Sequence, residues 1–211
     1  MKKAQCTLAL DMDETLCSLV STCISKCRQL WPDDKFKLPV YGRYSAWFND
    51  SLSEEKKQEL YSHIKTEEFY MSLPPVLSPL HGHGTIEDLS RLAWDRYEKV
   101  CVITAREGFC PNPEETTREY LRLHKFADVD NLPIHVVDGH TCKTTKVTGS
   151  TLFVDDSITV AAAVNRHIQH SMILVSQPWN DAYPGRNNKV RLTPSRNMIE
   201  AIRLHADSAE L

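Results

Sequence analysis

Asp11 and Asp13 stand one residue apart in LALDMDETL (8–16), directly after an apolar run. Two like charges at the end of a buried strand repel each other and need something to hold them. Two further apolar runs end in residues that could join them. VCVIT (100–104) ends in Thr104 and leads into Ala105-Arg106, and TLFV (151–154) leads into Asp155-Asp156-Ser157. In open parallel sheets, ligands bind outside the carboxyl ends of the strands. Asp11, Asp13, Thr104, Asp155 and Asp156 are therefore expected at one crevice. Four carboxylates there cannot all stay ionised without compensation, and a divalent cation removes the difficulty. An oxygen-rich donor set suits Mg²⁺. Lys143 and Lys146, just before TLFV, are each placed to add a positive charge to the same rim.

Taken singly, each feature has a plainer meaning. A D-x-D after a strand is often a turn or a helix cap, with Asp13 or Thr15 as the capping residue. An Asp-Asp pair alone says less, and a single Thr or Lys says nothing. The signal is the order of these residues and their common placement at strand ends.

The elements that must position them are legible as short apolar runs: 6–10, 100–104, 134–137, 151–154 and 172–175. They lack strict alternation, as strands covered on both faces do. Between them lie helical stripes. Leu16, Leu19, Val20, Cys23, Ile24, Cys27 and Leu30 fall at three- and four-residue steps, and so do Ile86, Leu89, Leu92 and Ala93. Residues 114–124 follow Pro113, and 158–168 carry Val160, Ala161, Val164 and Ile168. Strands alternating with helices predict an α/β fold, a Rossmann-like parallel sheet between helices. Residues 17–78 break the alternation with helical and turn-like sequence only. They are expected to form a small helical cap inserted after the first strand. The core then comprises 1–16 and 79–211, with the Pro-rich segment 72–84 as the hinge back.

Composition narrows the class. The 211 residues are 41% hydrophobic and 25% charged, with a net charge of −3. The absence of a basic face makes a nucleic-acid partner unexpected. No 18-residue apolar stretch exists, so no membrane span is expected. The opening MKKAQCTLALDMDE is superficially like a signal peptide, but its apolar run is short and ends in acids, so it reads as a first strand. Seven scattered cysteines without a CxxC pair read as free thiols in a reducing compartment, which makes the expected location cytoplasmic. Cys17, Cys23 and Cys27 read as core packing rather than zinc ligands. The tail after Pro178, with Arg186, Lys189 and Arg191, reads as solvated surface rather than a flap near the site.

Four of these motifs, in order, resemble those of the haloacid dehalogenase superfamily of phosphotransferases. They are LALDMDET, the strand VCVIT ending in Thr, the lysine in CKTTK, and LFVDDS. The chain is more closely similar to the 5′(3′)-deoxyribonucleotidase branch in EEFYMSLPPVLSPLHGHGTIEDL (67–89), KTTKVTGSTLFVDDS (143–157) and ILVSQPWN (173–180). It departs at Glu14, where Gly is common, and at Ala105-Arg106, where the branch often has Ser-Pro. The Ala-Arg pair is similar to the Gly-Arg of polynucleotide kinase 3′-phosphatases.

The resemblance implies a Mg²⁺-dependent phosphomonoesterase working through an aspartyl-phosphate. Asp11 would be the nucleophile and Asp13 the proton donor and then base. Asp11, the Asp13 carbonyl and Asp155 would ligate the metal, with Asp156 orienting that shell. Thr104 and Lys143, in preference to Lys146, would hold phosphate oxygens. The expected substrate is a nucleoside monophosphate, and a homodimer is possible by likeness to such nucleotidases. Tyr44, Trp47 and Phe48 could stack on a base or simply form the core of the cap. Arg106 could reach a second anionic group or pair with an acid such as Glu107. The alternatives are a polynucleotide 3′-phosphatase, or a binding or regulatory protein of the same fold without turnover.

Overall fold

The computed structural model describes residues 3–36, 51–78, 84–138 and 143–209. Six parallel strands form one sheet in the order β3-β2-β1-β4-β5-β6. They are β1 (Ala4–Leu10), β2 (Tyr97–Thr104), β3 (Ile134–Val136), β4 (Thr151–Asp155), β5 (His170–Ser176) and β6 (Val190–Pro194). Helices flank the sheet: α1 (Leu19–Leu30), α2 (Glu54–Ile64), α3 (Glu67–Met71), α4 (Ile86–Arg96), α5 (Pro113–Leu123), α6 (Ile158–Val164) and α7 (Met198–Ala209). The expected α/β, Rossmann-like arrangement is present.

The strands read as continuous apolar runs because both faces are covered. Leu8, Leu10, Val100, Val102, Leu152, Val154, Ile173 and Val175 point into a core with α4, α5 and α7. Their alternates Ala9, Cys101, Ile103, Phe153, Met172 and Leu174 pack on the other face with Val160, Ala161 and Val164 of α6. The strand order reverses between β1 and β4. Chain segments leave the two strands in opposite directions there, opening a crevice at their carboxyl ends.

Register sets what meets in that crevice. Leu10 pairs with Val154, and the Asp11 amide donates to the Val154 carbonyl at 2.9 Å. Asp11 and Asp155 are thus level on neighbouring strands. Leu10 also pairs with Val102, which puts Thr104 one step beyond Asp11 on the other side.

Residues between β1 and α4 build a smaller cluster. Val20, Cys23, Ile24 and Cys27 of α1 pack with Phe36, Leu52, Leu60 and Ile64. The segment joins the sheet through two strands of backbone side by side. Ser18 donates to the Pro74 carbonyl and Val76 to the Leu16 carbonyl, both at 2.9 Å. The chain already belongs to the main core around that crossing, since Tyr70 and Leu73 before it and Leu77 after it pack there.

Three expectations are corrected. The stripe read as one helix from Leu16 begins at Leu19, because residues 12–17 coil into a turn closed by Leu16 and Cys17 amides on the Met12 carbonyl. The helix expected over 158–168 stops at Val164, leaving Ile168 91% exposed in the turn before β5. The tail after Pro178 is not only surface. Arg186 and Arg191 are solvated, but β6 completes the sheet, and Met198, Ile202 and Ala206 of α7 are fully buried.

Candidate functional site

Asp11 sits at the end of β1 with its side chain in the crevice, 6% exposed. Its Oδ1 accepts the Met12 amide at 2.7 Å and faces Lys143 Nζ at 2.5 Å. Lys143 stands on the single 3₁₀ turn 143–146 that precedes β4, and its Nζ also donates to Asp155 Oδ2 at 2.9 Å. The other Asp155 oxygen accepts the Ser157 amide at 2.7 Å. Lys146, on the same turn, is exposed. The structure therefore separates the two lysines: Lys143 faces the acids and Lys146 faces solvent.

Carboxylate oxygens of Asp11, Asp155 and Asp156 lie within 4.8 Å of one another, all three residues buried. One ammonium beside three carboxylates leaves an excess of negative charge. Burial, reinforced by the charge of Asp155, pushes the Asp11 carboxyl up to about 8. Burial with the Asp155 and Asp11 charges also raises Asp156 well above the usual carboxylate range. The excess must be met by protons or by a bound cation. Three hard oxygen donors in one small space fit a divalent ion of the Mg²⁺ type.

Thr104 ends β2, fully buried, and its hydroxyl has no hydrogen-bond partner among the described residues. A buried orphan hydroxyl is costly unless a ligand satisfies it.

Asp13 is held apart from this group. Arg106 Nη2 donates to its Oδ1 at 2.6 Å, and Nε reaches both carboxylate oxygens at 3.2 Å. Arg106 is 1% exposed. Its guanidinium lies 4.7 Å from the Tyr70 ring centroid and touches Cys17 Sγ at 3.2 Å. Of the two readings of Arg106, the structure shows the pairing with an acid, and that acid is Asp13 rather than Glu107. Nor does Asp13 or Thr15 cap α1 with its side chain. That position falls to Glu14, which adopts a left-handed φ of 60° and turns its carboxylate onto the Val20 amide. Burial pushes Glu14 up to about 7.

The residues that sequence reasoning missed lie after β5. Gln177 Nε2 donates to the Glu14 carbonyl at 2.9 Å. Trp179 Nε1 donates to Asp156 Oδ2 at 2.9 Å. Asn180 Nδ2 donates to the carbonyls of Asp156 and Val175, each at 2.8 Å. The available signal was a polar, aromatic stretch, QPWN, following a buried strand on the rim where the acids stand. Tyr44, Trp47 and Phe48 lie outside the described residues.

Fold and site together define a Rossmann-like α/β protein with a buried acidic crevice at the switch point of its sheet. Compared with protein-family models and with curated protein sequences, the chain matches none of either. No helix among the described residues is long and apolar enough to cross a membrane.

Proposed function

We propose that this chain is a Mg²⁺-dependent phosphomonoesterase of the haloacid dehalogenase type, acting on nucleoside monophosphates through an aspartyl-phosphate. The observation that carries the reading is the convergence of Asp11, Lys143 and Asp155 at the carboxyl ends of β1 and β4. A nucleophilic carboxylate, a fixed cation and a second acid are the parts that phosphoryl transfer requires.

Asp11 attacks phosphorus, and the phosphoryl group passes from the ester oxygen to the Asp11 carboxylate. Its backbone hydrogen bonds and its contact with Lys143 fix the attacking oxygen. Lys143 offsets charge on the phosphoryl oxygens, and the unpartnered Thr104 hydroxyl donates to one of them. Asp13 gives the leaving oxygen its proton and then takes one from the water that cleaves the intermediate. Arg106 holds both Asp13 oxygens and sets their direction, so Asp13 must loosen that grip as it exchanges its proton. Asp11, Asp155 and Asp156, with the Asp13 carbonyl, would hold Mg²⁺. When bound, the ion offsets repulsion between the nucleophile and an anionic substrate.

A second reading, a phosphate-binding protein without turnover, draws on the same Arg106 grip, since an acid engaged on both oxygens is hindered as a proton donor. One experiment separates the two. Phosphate release is measured with and without Mg²⁺ on deoxyribonucleoside monophosphates, ribonucleoside monophosphates and a 3′-phosphorylated oligonucleotide. Asp11→Asn is the blank. Metal-dependent release from monophosphates, lost in Asp11→Asn, is expected. Release only from the oligonucleotide would move the function to nucleic-acid ends. Phosphate binding with no release from anything would establish the second reading.

A further inference from the structure

Asp156 carries a load that its neighbours do not. Asp11 and Asp155 both face Lys143, whereas the Asp156 carboxylate has the Trp179 indole N–H as its hydrogen-bond donor at 2.9 Å. That indole is 4% exposed, and its ring belongs to the small apolar cluster of Val20, Cys23, Ile24 and Leu60 between β1 and α4. One side chain therefore touches the acidic crevice at its polar tip and the inserted segment with its body. Its neighbours in the turn reinforce the connection. Gln177 reaches the Glu14 carbonyl, at the start of that segment, and Asn180 fixes the Asp156 backbone.

We propose that Trp179 is a positioning residue that aims the Asp156 carboxylate at the bound cation and transmits to it the packing of the inserted helices. The inference rests on the cation site of the proposed function. The hydrogen bond leaves Asp156 one free oxygen to direct toward a metal or its water. It also ties that direction to a ring that cannot shift without disturbing α1 and α2. Outer partners of this kind change metal affinity without touching the metal.

The test uses the full chain and Mg²⁺ alone, with binding read by titration calorimetry and folding by circular dichroism. Trp179→Phe keeps most of the ring in the cluster and removes the N–H. Its Mg²⁺ affinity is expected to fall by on the order of 10- to 100-fold. Leu60→Ala, which makes no contact with the acids, is expected to lower affinity in the same direction. Unchanged affinity in Trp179→Phe overturns the positioning role. A loss in Trp179→Phe with none in Leu60→Ala overturns the transmission from the inserted helices.

Should Trp179→Phe fail to fold, wild-type chain labelled with fluorotryptophan gives the same answer. The Trp179 ¹⁹F resonance, identified by elimination with Trp31→Phe, Trp47→Phe and Trp94→Phe, is expected to move on Mg²⁺ addition. A stationary resonance overturns the proposal. A wild-type chain that binds no divalent cation also overturns it, while phosphate release decides the enzyme reading independently.

Discussion

Lys143 is the single side chain on which the acidic crevice depends most. It offsets two carboxylates at once, at 2.5 and 2.9 Å, from a buried position. Lys143→Met should cut phosphate release by on the order of 10²- to 10³-fold, the usual loss for one preorganised charge at a transferring group. Lys146→Met should leave it unchanged, because that side chain is in solvent. Steady-state kinetics on the pair checks this. Glu14 makes a different prediction. Its folded value of about 7 lies above the 4.5 of an exposed glutamate. The folded state therefore holds more protons than the unfolded chain between those values, and this group's contribution to stability falls as pH rises through that window. Glu14→Gln keeps an oxygen for the Val20 amide and removes the buried charge. Its melting temperature should decline less than the wild type's between pH 5 and pH 8, which a pH series of thermal melts reads directly.

Elements differ in how openly the sequence announces them. The four central strands, β1, β2, β4 and β5, were readable because each is buried on both faces, and burial leaves a run of apolar residues, while the edge strand β3 showed through the short run IHVV alone. β6 was not, since an edge strand with exposed Arg191 and a Pro at its end carries little apolar signal. α7 blurs its buried stripe of Met198, Ile202 and Ala206 with further apolar residues around the helix, Ile199, Ala201 and the exposed Leu204, so its apolar face was not marked out. The acids of the site were legible for the same reason as the strands, standing where apolar runs stop. The Arg106–Asp13 pair was not, because 93 residues separate its members and only the β1–β2 register brings them together. Trp179 was hidden for a related reason. An aromatic residue after a strand gives no hint that its ring will serve a helical cluster formed by residues 20–64 and its N–H an acid just after another strand.

At the scale of the whole molecule, two apolar cores flank the sheet and a third, smaller one lies in the inserted segment. The smaller one joins the sheet through the backbone crossing at residues 16–18 and 74–76 and through Trp179. Regions with fewer buried contacts open at lower free energy than the main core. Amides of α1 and α2 should therefore exchange with deuterium by a smaller opening free energy than those of β1 and β4. Native-state hydrogen exchange with mass spectrometry checks the order. Another consequence belongs to the chain as it is being made. β1 lies in the middle of the sheet, yet its neighbours are β2, beginning at residue 97, and β4, beginning at residue 151. At translation rates of about 5–20 residues per second, roughly 7–28 s separate the synthesis of Leu10 from that of Thr151. For that interval the central strand has one or both edges bare and open to aggregation or chaperone capture. Asp11 cannot meet Asp155 until the residues between them have left the ribosome, so a nascent chain that ends before β4 carries the first acid of the crevice without the crevice.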